Sequence, residues 1–112
     1  MPLPRAEDAI VDEAKLRDYL LSHEHPVGRA KARFFESLGF HHSEWQLLGE
    51  ALRELALHAE ATPTTPSVFG QPYLVRGILR GPEGRSAGVV TVWMVPIEDS
   101  TPRLITAYPT RR

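Results

Sequence analysis

Apolar residues recur at helical spacing through the first half of the chain and at alternate positions through the second, so the pattern changes period near residue 68. Leu16, Tyr19 and Leu20 stand at i, i+3 and i+4, and with Asp12 and Glu13 at the electropositive start they predict a helix from Asp12 to about Ser22. Pro26 ends the SHEHP segment and restricts His25 to an extended backbone, which puts His25 at the entrance of a second helix, about Val27 to Leu38. Val27, Ala30, Phe34, Phe35 and Leu38 are its expected inward set, and Gly39 is a suitable left-handed residue to stop it. Ser43 and Gln46 have capping-box spacing and predict a third helix to about His58, with Trp45, Leu48, Leu52, Leu55 and Ala56 on its apolar side.

The stretch EATPTTPS cannot extend that helix and reads as a linker into a sheet. Beyond it, β-branched runs broken by GP, GRSAG and PIEDSTP predict strands near Tyr73 to Arg80, Ala87 to Val95 and Arg103 to Tyr108, with VFGQP as a short edge strand. Turns this short join antiparallel neighbours. The expected architecture is α+β: about three helices packed on one face of a three- to four-stranded antiparallel meander. It comprises a helical half (10–60), a linker (61–67) and a sheet half (68–109) within one domain, 1–112.

Composition adds limits. With 42% hydrophobic and 24% charged residues the chain matches ordinary globular usage, and no apolar run is long enough to span a bilayer. MPLPRAEDAI has no apolar h-region of a secretory signal, so a cytoplasmic protein without membrane association is expected. The absence of cysteine excludes disulfides and thiolate metal sites. The net charge of −1 is unevenly spread. Residues 1–68 hold eleven acids and seven Lys or Arg, a balance of −4, whereas 69–112 hold three acids and six Arg, a balance of +3. Arginine alone on the sheet suits phosphate recognition through its planar donor fork, although a solvated face gives the same pattern.

Alternation sorts each strand into two sets. If the aliphatic set of each strand packs on the helices, then Arg76, Arg80, Thr91, Trp93, Thr106 and Tyr108 share the opposite face. Cations, hydroxyls and rings together could bind phosphate and stack bases; an ordinary exposed sheet face is the other reading. Five histidines invite a metal reading, but none has ligand spacing, and neither a Gly-rich phosphate loop nor a nucleophile elbow occurs. No metal or cofactor is expected. Chemistry by His, Lys and Arg alone suffices to cleave RNA, which supplies its own nucleophile, the 2′-hydroxyl. His25 is the first candidate base, followed by Arg29 and Lys31 on the same helix; a turn residue that caps the helix is the alternative for His25.

The segments HPVGRAKARFFESLGF, YLVRGILRGPEGRSAGVVTVW and PRLITAYP resemble a bacterial family of domains of unknown function. That family is in turn similar to the ribonuclease superfamily of barnase, EndoU, colicin and RelE-like toxins. The resemblance spans nearly the whole chain and implies N-terminal helices followed by an antiparallel sheet whose open face carries the active site. TAYP is similar to the final-strand Ser/Thr-x-Tyr pattern of EndoU-like nucleases and implies that Thr106 and Tyr108 bind scissile phosphate and base. His25 and Lys31 match the family's His-Pro and Lys-Ala positions, implying a base and a stabiliser of the phosphorane.

The expected activity is metal-independent endoribonuclease, the toxin of a toxin–antitoxin or effector–immunity pair. Its catalytic residues would be His25, Lys31, Arg76, Arg80, Thr106 and Tyr108, and its substrate-binding residues Arg29, Thr91 and Trp93. RNA and an acidic cognate inhibitor are the expected partners. The alternatives are a non-catalytic RNA- or protein-binding module using the same face, and the antitoxin or immunity partner itself.

Overall fold

The computed structural model describes residues 1–110. Three helices and a four-stranded antiparallel sheet form an α+β fold. Helix α1 is an α-helical turn, Glu13–Lys15, that runs on as a π-helical stretch, Leu16–Leu20. Helix α2 spans Gly28–Ser37 and α3 spans Trp45–His58. The strands are β1 (Ala61–Pro63), β2 (Gly70–Arg80), β3 (Ser86–Pro96) and β4 (Arg103–Pro109), paired in chain order. None of the helices is long and apolar enough to cross a membrane among the described residues.

Leu48, Leu52 and Ala56 line the inner side of α3, as their spacing predicts, and meet Leu16, Leu20 and Phe35 in one buried cluster. Burial of each large aliphatic or aromatic side chain contributes about 1.5–3 kcal/mol. The N-terminal segment also enters this core through Leu3, Ala6, Ala9 and Val11. Leu3, Ala6 and Ala9 recur every third residue around a 3₁₀ turn, Ala6–Asp8, and a parallel bridge from Ile10 to Arg103 ties the segment to β4.

Several expectations are corrected. The residues read as a linker start with β1, whose Ala61, Thr62 and Pro63 pair with Val75, Leu74 and Tyr73. Proline is tolerated there because β1 is an edge strand. The capping box does not form: a 3₁₀ turn, His42–Glu44, leads into α3, and no side chain caps it. On α2, Val27 and Ala30 face solvent and Gly28 and Ala32 are buried instead, while Phe35 and Leu38 point inward as expected. Gly39 does end α2 with φ of 96°, the left-handed conformation expected of it.

The largest difference concerns the sheet faces. Register pairs Tyr73 with Trp93, Val75 with Thr91 and Gly77 with Val89, so Thr91 and Trp93 share the core face with Val75 and Leu79. Both are fully buried. Trp93 Nε1 donates to Thr91 Oγ1 at 2.8 Å, and that hydroxyl donates to the Val75 carbonyl at 2.9 Å. These two bonds satisfy the polar atoms and let an apolar ring and a small hydroxyl go inward. On β4 a register shift between Val92 and Trp93 breaks the alternation: Leu104 and Ala107, three residues apart, are both buried, while Ile105 is exposed.

Candidate functional site

The end of α1 and the start of α2 are bound together by local polar contacts. Ser22 Oγ accepts from the backbone N–H groups of Glu24 and His25, each at 3.2 Å. His25 Nδ1 then accepts from the N–H groups of Val27 and Gly28, each at 3.0 Å, and so satisfies donors that the first turn of α2 leaves open. A Cβ on Gly28 would lie 2.0 Å from the Tyr19 carbonyl oxygen, so only glycine lets α2 start this close to α1. That close approach sets the His25 ring edge-on against Tyr19, with centroids 5.0 Å apart.

One turn farther along α2, Lys31 reaches β4. Its Nζ donates to Thr106 Oγ1 at 3.1 Å, and Tyr19 Oη lies 3.0 Å from the same oxygen. The ammonium stands 5.4 Å from the Tyr19 ring centroid and 5.6 Å from that of Tyr108, both within cation–π range. Lys15 approaches the Tyr19 ring from α1 at 5.3 Å. Two irregularities of backbone converge here: the π-helical turn carries Tyr19, and the bulged strand carries Thr106. Such departures recur at functional sites because they aim side chains away from the regular period.

Burial of the Tyr19 ring works to raise its phenol pKa; the hydrogen bonds with Thr106 and Lys31 and the charges of Lys31 and Lys15 overcome it. The net result lies below the ordinary tyrosine value. Beside this group opens a cleft of about 550 Å³ lined by Lys15, Tyr19, His25 and Thr106, with Asp12 and Asp18 among the other residues at its wall. Asp12 is 3.6 Å from the guanidinium of Arg103. Among the described residues there is no group of three His, Asp or Glu placed to hold a metal ion.

The site residues expected from the sequence therefore divide. His25, Lys31, Thr106 and Tyr108 are brought together. Arg76 is exposed and shares a cross-strand row with Val90 and Tyr108, two strands, or about 10 Å, from the latter. Arg29 is exposed on α2. Arg80 stands apart: it pairs with Ser86, beyond the end of β4, and lines a different groove with Glu50 and Glu54 of α3. Thr91 and Trp93 are inside the core and cannot touch a substrate. The base role expected of His25 also fails in this geometry. With Nδ1 accepting two backbone protons, the neutral ring carries its own proton on Nε2 and has no free lone pair. Tyr19 was missed because it fits the apolar stripe of α1, and nothing nearby in sequence marks its contact with Thr106, 87 residues away.

Helices packed at one side of a four-stranded meander, with a polar cleft of mixed charge at the last strand, define the class of domain. The chain belongs to the DUF6883 family, a domain of unknown function, whose match covers residues 2–111. No curated protein matches the sequence. Among solved structures, the fold is similar to a chain of the contact-dependent growth inhibition toxin–immunity protein complex from Klebsiella pneumoniae 342, with a TM-score of 0.71 and 18% identity. The likeness covers 96% of this chain and 97% of the other.

Proposed function

We propose that this chain is the toxin of an effector–immunity or toxin–antitoxin pair and acts as a metal-independent endoribonuclease of the barnase, EndoU, colicin and RelE-like type. The observation that carries this reading is the ammonium of Lys31, fixed between two tyrosine rings by Thr106, which itself lines an open cleft with Tyr19 and His25. Cleavage proceeds by attack of the 2′-oxygen on phosphorus and leaves a 2′,3′-cyclic phosphate and a 5′-hydroxyl. The charge that grows on the phosphorane is stabilised by Lys31, prepositioned in a partly desolvated setting. Thr106 holds the lysine, Tyr108 offers a ring for base stacking, and His25 donates from Nε2 to a phosphate oxygen. Arg76 and Arg29 extend the cationic surface along the RNA backbone. An acidic inhibitor covering Lys31 and Arg76 would block the site.

The test is incubation of purified protein with total bacterial RNA in EDTA, with the ends of any fragments analysed. Fragments ending in cyclic phosphate, reduced about 10²- to 10³-fold in rate by Lys31→Ala, are expected. Intact RNA with a folded protein would overturn the assignment. The toxin–immunity likeness also fits the inhibitor as a second reading. Expression decides between them, because a toxin arrests growth and an immunity protein does not.

A further inference from the structure

The ribonuclease reading, on which this inference rests, requires a group that accepts the nucleophile's proton. His25 cannot serve: Nε2 already carries a proton, and losing it would leave an unstable imidazolate. The Lys31 ammonium has donors and no acceptor. Its bond makes Thr106 Oγ1 an acceptor, and the threonine proton is then available to donate to Tyr19 Oη when the phenol is ionised. With Tyr19 ionised, the donors run from Lys31 to Thr106 to Tyr19 and hold the negative charge on the phenolic oxygen.

We propose that Tyr19 Oη, linked to Lys31 Nζ through Thr106 Oγ1, is the group that takes the proton from the attacking 2′-hydroxyl. The 2′-hydroxyl proton passes to the Tyr19 phenolate as the bond from the 2′-oxygen to phosphorus forms. The bond from phosphorus to the 5′-oxygen breaks, and Lys31 gives that oxygen a proton. Tyr19 is then a phenol and Lys31 an amine. Thr106 passes its proton to Lys31 and takes one from Tyr19, which restores the starting pair without bulk water. Two lysines bracket the ring at 5.3 and 5.4 Å, and the phenol is more acidic than an ordinary tyrosine, which supports the assignment. The titratable and charged groups around it are Asp12 just before α1, Lys15 and Asp18 from α1, His25 from the connecting turn and Lys31 from α2; β4 contributes Thr106, Tyr108 beside Lys31, and Arg103, which faces Asp12.

The experiment compares wild-type protein, Tyr19→Phe and a protein with fluorinated tyrosine at position 19, measuring kcat and KM for RNA cleavage in EDTA across pH. Tyr19→Phe keeps the ring and its packing, so folding, checked by circular dichroism, is retained. We expect kcat to fall by about 10²- to 10⁴-fold with KM little changed. Fluorine acidifies the phenol, so the rising limb of kcat against pH moves to lower pH. An active wild type whose kcat survives Tyr19→Phe, or whose limb does not move on fluorination, overturns the role of Tyr19 alone. A wild type that cleaves no RNA overturns the ribonuclease reading and this role with it.

Discussion

Two threonines on neighbouring strands, Thr91 on β3 and Thr106 on β4, use the same hydroxyl in opposite ways. Thr91 is fully buried, accepts from Trp93 Nε1, donates to the Val75 carbonyl and has nothing left to offer. Thr106 is half-buried at the edge strand, holds an ammonium and a phenol, and borders an open cleft. A hydroxyl closed by neutral partners inside a core stabilises the fold. The same hydroxyl between ionisable groups at the surface positions charge. Sequence shows a threonine on a strand in both cases; what separates them is register.

Exchanging each for valine, which keeps the shape, sharpens the contrast. Thr106→Val removes the oxygen that fixes Lys31, a bond to a charged donor of about 1.5–3 kcal/mol. Cleavage should fall by about tenfold to a hundredfold, while the melting temperature stays close to wild type because the site is open to water. A drop in stability with unchanged turnover would mean that Thr106 belongs with Thr91.

Thr91→Val should behave inversely and with a somewhat smaller effect. It leaves the buried Trp93 indole N–H without an acceptor, at a cost of about 1–3 kcal/mol, read as a lower denaturant midpoint. The folded fraction should cleave as wild type does. Lost cleavage in a still folded Thr91→Val would place the inner face in the site after all.

This pair also shows where the sequence is readable. Helix α3 and the three long strands follow from Leu48, Leu52 and Ala56 and from the β-branched runs, because each is set by local periodicity. Choosing the aliphatic set of β3 as the inner face fails, because Trp93 buries more apolar area than any valine once Thr91 satisfies its N–H. The bulge on β4 defeats alternation outright, since Leu104 and Ala107 differ by an odd number of positions and still face the core. Lys31, Thr106 and Tyr108 were legible from the resemblance. Tyr19 was not, for its partners come from α2 and β4, and local pattern carries no record of them.

The smallest expected effect tests whether Tyr19 senses the charges that set Thr106 apart from Thr91. Burial opposes ionisation of the phenol, and the bonds with Thr106 and Lys31 and the lysine charges outweigh it, so its folded pKa is depressed below the unfolded value of 10.0. Between the two values the unfolded chain binds more protons, and stability rises with pH. The contribution is complete above the unfolded value and is lost as pH falls through the folded one. Denaturant melts of wild type and Tyr19→Phe across this alkaline window should therefore diverge, the wild type gaining on the variant as pH increases. The gain is modest because the phenol borders an open cleft, where solvent screens the lysine charges. Curves that stay parallel would mean that the phenol ionises alike in both states, and that the cluster around Thr106 stores no more charge preference than the buried pair around Thr91.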